Sequence, residues 1–149
     1  MRVPDGSRAS VNPSFPLSDT LVLMASDHYF SATPASPENL RRIRVPIAGR
    51  DVMLSTAGGT FSPERLDAGT SVLLANTPPP PPGGHFLDLG CGWGPIALTL
   101  ATLSPHATVW AVDVNERALG LVRKNAEELG LDNVRAVTAD QVPDDIVFR

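Results

Sequence analysis

The sequence predicts an α/β fold with a Rossmann-like, doubly wound parallel sheet, of which the chain carries the first three strands. Three observations predict this fold. From His85 onward, short apolar strands alternate with amphipathic helices, which is the pattern of parallel βαβ units. The first of these strands runs into a glycine-rich turn. The next two strands run into aspartates, Asp113 and Asp140.

Two segments are predicted to lie outside the packed units. Residues 1–27 are rich in Pro, Ser, Asp and Asn and have no sustained periodicity, which predicts a disordered tail. Residues 78–84 consist of five consecutive prolines and two glycines, which predict a semi-rigid linker. A docking site for a proline-binding module is the alternative, and nothing else in the sequence marks the segment as such a ligand.

Between the tail and the linker, residues 28–77 are predicted to form a hairpin and a helix. Two alternating apolar segments, Leu40–Ala48 and Asp51–Thr56, flank a short glycine-containing turn and are typical of a β-hairpin. Ser62 followed by Pro63 predicts the start of a helix that ends near Asn76.

After the linker, residues 85–149 carry the regular alternation. The predicted elements are strand Phe86–Leu89, helix Pro95–Leu103, strand Thr108–Val114, a helix capped by Asn115 and ending at Leu129, and strand Val134–Ala139. The second strand is apolar throughout, as parallel strands covered on both faces are. Gly130 supplies the left-handed residue that ends the second helix.

Composition restricts the class of protein. The net charge is −4, and residues 1–85 carry seven acidic and seven basic residues, so the negative balance comes from residues 86–149. Arg41, Arg42 and Arg44 would meet an anionic partner, but a solvated strand face is the favoured interpretation. One cysteine excludes an internal disulfide. No run approaches the roughly 20 apolar residues of a membrane helix, so the cytoplasm is the expected compartment.

The glycine turn and the aspartates predict a nucleoside site. Ligands of such sheets lie at the carboxyl ends of the strands, and glycines such as Gly90 and Gly92 let the backbone approach them closely. A dinucleotide turn has the spacing G-x-G-x-x-G. Here the third glycine is Gly94 and Pro95 follows it, which disfavours a pyrophosphate and hence a nicotinamide-dependent oxidoreductase.

The aspartates indicate which nucleoside is bound. Asp113 is placed to accept hydrogen bonds from both ribose hydroxyls, and Asp140 from an adenine amino group. Asp88 lies inside a buried strand, where a carboxylate needs a partner, and a cationic amino group on the ligand would supply one. The helix that begins at Pro95 favours a carboxylate. A ligand with adenosine, an amino group and a carboxylate but no pyrophosphate is S-adenosylmethionine.

The same motifs resemble a known family. Residues 28–149 resemble the N-terminal part of a class I S-adenosylmethionine-dependent methyltransferase of the "methyltransferase small" type, which includes small-subunit rRNA guanine-N2 methyltransferases. Asp88–Gly94 matches the first cofactor motif of that family, Ala111–Asn115 the second, and Thr138–Asp140 the third. The resemblance implies S-adenosylmethionine as cofactor, contacts to it from Cys91 and Val114, and ribosomal RNA as partner.

Upstream residues resemble the segment that covers the cofactor in this family. Gly59–Ser62 and Leu66–Thr70 match it, which implies cofactor contacts from Phe61 and Asp67. Each of these residues also has a purely structural interpretation: Phe61 would pack the loop, and Asp67 would stabilise a helix N-terminus.

The remaining candidates also have structural alternatives. Asp88 could cap a local turn, and Asp113 and Asp140 could be surface residues at strand ends. Cys91 has no base placed beside it, so it is interpreted as a small filler of the loop rather than a nucleophile. The three histidines have no ligand spacing, so no metal site is predicted.

The acceptor motif of the resembled family is missing from the sequence. In that family an Asn-Pro-Pro segment after the fourth strand holds the acceptor amine, whereas the sole Asn-Pro here is Asn12-Pro13, in the predicted tail. The catalytic residues are therefore unassigned. Without the fourth strand, Phe86–Leu89 has an open apolar edge, so we expect either a fragment of a longer protein or a homo-oligomer that covers this edge. A non-catalytic remnant or binding module is the alternative function.

Overall fold

The computed structural model describes Thr33 and residues 38–149, so the tail predicted for residues 1–27 lies outside the described residues. The helices and strands are β1 Leu40–Ile47, β2 Arg50–Ala57, α1 Ala68–Asn76, β3 Gly83–Leu89, α2 Pro95–Leu103, β4 His106–Val112, α3 Glu116–Glu128 and β5 Val134–Val137, followed by a 3₁₀ turn at Ala139–Gln141. None of the helices in this part of the chain is long and apolar enough to cross a membrane.

A three-stranded parallel sheet forms the centre of the fold. Its strand order is β3-β4-β5, with Phe86 paired to Val109 in one ladder and Ala111 paired to Ala136 in the other. The two crossover helices α2 and α3 connect these strands. The predicted α/β class with three parallel strands is confirmed.

Both crossover helices, α2 and α3, pack on the same face of the parallel sheet and form a second layer. Ala97 and Ala101 of α2 form a buried cluster with Val109 and Ala111 of β4 and Leu119 of α3. Of the alternate positions, which face the other way, Leu87 and Leu89 of β3 are exposed and Val112 of β4 is buried. A second buried cluster joins the outer sides of these helices to the hairpin; it contains Val45, Ile47, Leu54, Leu98 and Leu121.

The predicted hairpin is present, although its turn lies one residue earlier than residues 49–50, which separate the two predicted segments. Strands β1 and β2 pair in antiparallel register around Ala48 and Gly49, whose φ angles of 48° and 77° give the turn that matches strand twist. The buried side chain of Asn125 in α3 holds strand β2 of the hairpin against that helix by hydrogen bonds. Its Oδ1 accepts from the Ser55 N–H at 2.7 Å, and its Nδ2 donates to the Ser55 carbonyl at 2.9 Å and to the Trp93 carbonyl at 3.1 Å.

The helix predicted to begin with Ser62 as cap and Pro63 as first residue begins five residues later, at Ala68. Asp67 is its N-cap, and its carboxylate accepts from the Thr70 N–H at 3.0 Å. Ser62 has a φ of +46°, whereas a serine N-cap is typically in the extended region. Contacts with distant residues hold this turn: the Pro63 carbonyl accepts from the Thr56 hydroxyl, and the Ser62 carbonyl accepts from the Trp93 indole N–H at 3.3 Å.

Strand boundaries also differ from those predicted. Strand β3 begins at Gly83 rather than Phe86, because Gly83 and Gly84 pair with His106 and Ala107 of β4. The predicted linker segment therefore contributes its two glycines to the sheet.

Strand β3 is an outer strand of the sheet, and its free edge is partly engaged. Phe148 forms a parallel bridge with His85, and the Arg149 N–H donates to the His85 carbonyl at 2.9 Å. Beyond this bridge, Leu87 is 41% exposed and Leu89 is 74% exposed. The carboxyl end of β3 therefore presents apolar side chains to solvent.

Candidate nucleoside-binding site

A cavity of about 470 Å³ lies where β3 and β4 end. Its walls come from three parts of the chain: the turn after β3, the residues after β4, and the loop after β2. The predicted site residues that line it are Phe61, Gly90, Gly92, Asp113 and Val114. Its surface is mostly apolar, with Leu89 and Val112 contributing beside them. A flat apolar ring with a polar sugar fits such a cavity.

The turn after β3 is held against the end of β4. The backbone N–H groups of Gly90 and Cys91 donate to the Val112 carbonyl at 2.7 and 3.0 Å. Gly94, with a φ of 99°, precedes Pro95, the first residue of α2. A Cβ on Gly94 would lie 3.0 Å from the Val122 side chain, so this glycine is required by both conformation and space.

Asp113 connects the two motifs of the site. Its Oδ2 accepts from the Gly92 N–H and its Oδ1 from the Asn115 N–H, each at 2.9 Å. A carboxylate oxygen accepts more than one hydrogen bond, so both oxygens retain capacity for a ligand. The side chain lines the cavity in a fixed orientation, as recognition of two adjacent hydroxyls requires.

Asp88 lies beneath the turn rather than on the cavity wall. It is buried, and its Oδ2 accepts from the Ala97 N–H at 2.9 Å, so it caps the N-terminus of α2. Burial raises the pKa of this carboxyl to about 6; the Ala97 hydrogen bond lowers the pKa and the nearby charge of Asp113 raises it further. No ion pair with Asp88 occurs within residues 38–149.

Cys91 is also buried within the turn. Burial, together with the charges of Asp88 and Asp113, raises the pKa of the Cys91 thiol well above its ordinary value. The thiol is therefore protonated at neutral pH and is not a nucleophile.

Of the remaining predicted site residues, two lie on the cavity wall and two do not. Val114 is 54% exposed and Phe61 is 47% exposed, and both line the cavity. Asp140 lies in the turn Ala139–Gln141 and is exposed; its neighbour Ala139 contributes to the cavity wall. Asp67 is engaged as the N-cap of α1, a helix that does not line the cavity.

Sequence reasoning did not identify three side chains that shape the site. Asn115 lines the cavity and donates from Nδ2 to the Gly59 carbonyl at 2.7 Å. Arg117 donates to the Gly58 carbonyl at 2.7 Å, and Trp93 donates to the Ser62 carbonyl. Asn115 could have been found because it is the last residue of the second motif, Ala111–Asn115. The sequence contains no sign of the contacts that Arg117 and Trp93 make.

Comparisons with known proteins bear on this site. The model of the methyltransferase small domain family matches residues 51–146. The chain is 36% identical over 115 residues to Bacillus subtilis (strain 168) "Uncharacterized protein YbxB", which covers 77% of this chain and 57% of that protein. It is 42% identical over 81 residues to "Ribosomal RNA small subunit methyltransferase C" of Hahella chejuensis, covering 54% of this chain and 23% of that protein.

A solved structure is also similar. The structure of "T. Thermophilus 16S rRNA N2 G1207 methyltransferase (RsmC) in complex with AdoMet and Guanosine" aligns with 70% of this chain and 29% of its own, with a TM-score of 0.56 and 25% identity. The matched part of this chain therefore spans between about a quarter and little more than half of the length of these three proteins.

Proposed function

We propose that this chain, which belongs to the methyltransferase small domain family, binds S-adenosylmethionine in the cavity at the ends of β3 and β4. The observation that carries the proposal is the hydrogen bond between the Gly92 N–H and the Asp113 carboxylate. It joins the turn that would hold the methionine part to the residue that would hold the ribose. The binding positions for both halves of one ligand are therefore fixed relative to each other.

The residues present fit this ligand. Asp113 would accept from the ribose hydroxyls through its remaining lone pairs. Val114 and Phe61, both partly exposed on the cavity wall, would flank the adenine. Asp140 is proposed to accept from the adenine amino group, since it adjoins Ala139 on that wall.

The methionine end would lie over the glycine turn. Gly90, Cys91 and Gly92 would contact it, and the ammonium group would neutralise Asp88, a buried carboxylate without an ion pair among the described residues. An opposite charge near a carboxylate favours its ionised form, so ligand binding would lower the pKa that burial has raised. Asp67 would act only indirectly, by fixing the start of α1.

We propose a guanine amine of ribosomal RNA as the methyl acceptor. When bound, S-adenosylmethionine supplies a methyl group on a positively charged sulfur, and the protein contributes alignment and exclusion of water. Similarity to "Ribosomal RNA small subunit methyltransferase C" supports RNA as the partner. The 149 residues contain no Asn-Pro-Pro segment, so we expect these residues alone to bind the cofactor weakly and to transfer methyl groups very slowly.

The free edge of β3 supports a second part of the proposal. Leu87 and Leu89 are exposed there, and an unpaired apolar edge associates with other strands. We expect a further strand, from a longer chain or from a second copy, to cover it.

Calorimetric titration tests the proposal against its alternatives. We expect saturable binding of S-adenosylmethionine, and no binding of a nicotinamide dinucleotide because of Gly94 and Pro95. The reverse preference would indicate an oxidoreductase. Transfer of labelled methyl groups to small ribosomal subunits, measured with this chain and with a C-terminally extended one, then separates an enzyme from a binding module. Cofactor binding without transfer by either chain would favour the binding module.

A further inference from the structure

The loop after β2 lies at the cavity, and within it Thr60 is buried, with its hydroxyl donating to the Ala57 carbonyl at 2.7 Å. Residues 58–62, named here the cover loop, contribute Thr60 and Phe61 to the cavity wall. Phe61 is 47% exposed, so burial of this ring does not by itself fix the position of the loop. Gly58 and Gly59 add backbone freedom, and Ser62 has a φ of +46°, which is strained for a residue with a Cβ.

Three side chains from other elements hold the cover loop by its backbone. Arg117 Nη1 donates to the Gly58 carbonyl at 2.7 Å, and Asn115 Nδ2 donates to the Gly59 carbonyl at 2.7 Å. At the far end, the Trp93 indole N–H donates to the Ser62 carbonyl at 3.3 Å. Carbonyls at both ends of a five-residue loop are therefore fixed, and Phe61 lies between the fixed points.

Two of these side chains come from the elements that hold the ligand. Trp93 belongs to the glycine turn and is 2% exposed. Asn115 lies two residues after Asp113, and its own backbone N–H donates to the Asp113 carboxylate. Its Oδ1 also caps α3 by accepting from the Arg117 and Ala118 N–H groups. A shift of the turn or of Asp113 would thus be transmitted to the loop.

We propose that Arg117, Asn115 and Trp93 are positioning residues, which clamp the cover loop so that Phe61 is already in place over the nucleoside. This inference rests on the proposed function for the identity of the ligand. The clamp itself is a property of the protein without ligand. Because the loop is already ordered, the entropic cost of ordering it is not charged against ligand binding.

Amide hydrogen exchange of the ligand-free protein tests the clamp directly. Arg117→Ala removes one fixed point, and we expect the amides of residues 58–62 to exchange at least fivefold faster. Arg123→Ala is the matched control, because Arg123 lies on the same helix and donates to the Ala136 carbonyl at 2.7 Å, away from the loop. Equal exchange of residues 58–62 in the two variants would overturn the proposal.

Asn115→Asp provides a second variant that keeps the cap of α3. Its carboxylate can still accept from the helix N–H groups, but it cannot donate to the Gly59 carbonyl. We expect the same loop-specific increase in exchange with no loss of α3 helicity. A variant that changed exchange throughout α3 but not in residues 58–62 would contradict the clamp.

A double-mutant cycle with Phe61→Ala distinguishes positioning from general stabilisation. We expect Arg117→Ala to raise the Kd for S-adenosylmethionine about fivefold or more, which corresponds to at least about 1 kcal/mol. In the Phe61→Ala background the same change should alter the Kd less than twofold. Equal effects in both backgrounds would be additive and would refute action through Phe61. If the wild-type protein does not bind the ligand at all, the proposed function fails, while the exchange experiment still decides on the clamp.

Discussion

Replacing Asp88 by asparagine should make the ligand-free protein more stable while weakening its binding of the cofactor. Asp88 is 7% exposed and makes a hydrogen bond with the Ala97 N–H. Asparagine is nearly the same size, and its Oδ1 can accept the same hydrogen bond. The substitution therefore removes the buried charge and retains the contact that caps α2.

The magnitude follows from the raised pKa. The pKa of Asp88 is about 6 in the folded protein, against 3.8 for an ordinary aspartate side chain. The folded state thus binds the proton more tightly than the unfolded state, so stability is highest below pH 4 and is lost as the pH rises through 6. The full loss is about 3 kcal/mol, and about 2 kcal/mol of it falls between pH 4.5 and 7.5.

Urea unfolding of both proteins across this pH range measures the effect. The free energy of unfolding of Asp88→Asn, minus that of the wild type, should rise by about 2 kcal/mol from pH 4.5 to 7.5, with the variant more stable at neutral pH. Asp144→Asn changes an exposed carboxylate and should leave the difference flat. Asp88→Asn should also bind S-adenosylmethionine at least tenfold more weakly, on the order of a lost ionic partner. A difference that does not change with pH, or a variant less stable at neutral pH, would refute the reasoning.

Three further predictions address the ribose contact, the hairpin and the sheet edge. Asp113→Ala should weaken cofactor binding by roughly 1–3 kcal/mol, because a charged acceptor is lost; unchanged affinity in calorimetry would remove Asp113 from the site. Asn125→Ala leaves the buried N–H and carbonyl of Ser55 without their partner and should lower the free energy of unfolding by roughly 2–5 kcal/mol, which urea titration would measure. A change below about 0.5 kcal/mol would argue against Asn125 as the residue that holds the hairpin to α3. Leu89→Lys should reduce self-association in sedimentation experiments, and a wild-type protein that is monomeric at all concentrations would contradict association through this edge.

Local patterns in the sequence were sufficient to predict the parallel sheet and its two crossover helices. Its helices and strands follow from apolar periodicity, and the cap at Asn115 and the left-handed Gly130 follow from backbone preferences that act within a few residues. The glycine turn and Asp113 meet at one cavity because strands of a parallel sheet end at the same edge. These features depend on neighbours in the chain, so they could be predicted without coordinates.

Contacts between distant residues account for what the sequence did not predict. Ser62 and Pro63 have the local preferences of a helix start, but contacts with Trp93 and Thr56 hold them in a turn, so α1 starts at its own cap, Asp67. The clamp on the cover loop likewise joins residues more than 30 positions apart. Burial of Asp88 was predicted, whereas its hydrogen bond to the start of α2 depends on how that helix packs.

Nuclear magnetic resonance mapping of S-adenosylmethionine binding tests the central claim most directly. We predict that saturating ligand shifts the backbone amide signals of Gly90, Gly92, Asp113 and Val114, and leaves the signals of α1 in place. Absence of shifts at these four residues, or shifts confined to other parts of the chain, would show that this cavity is not the cofactor site.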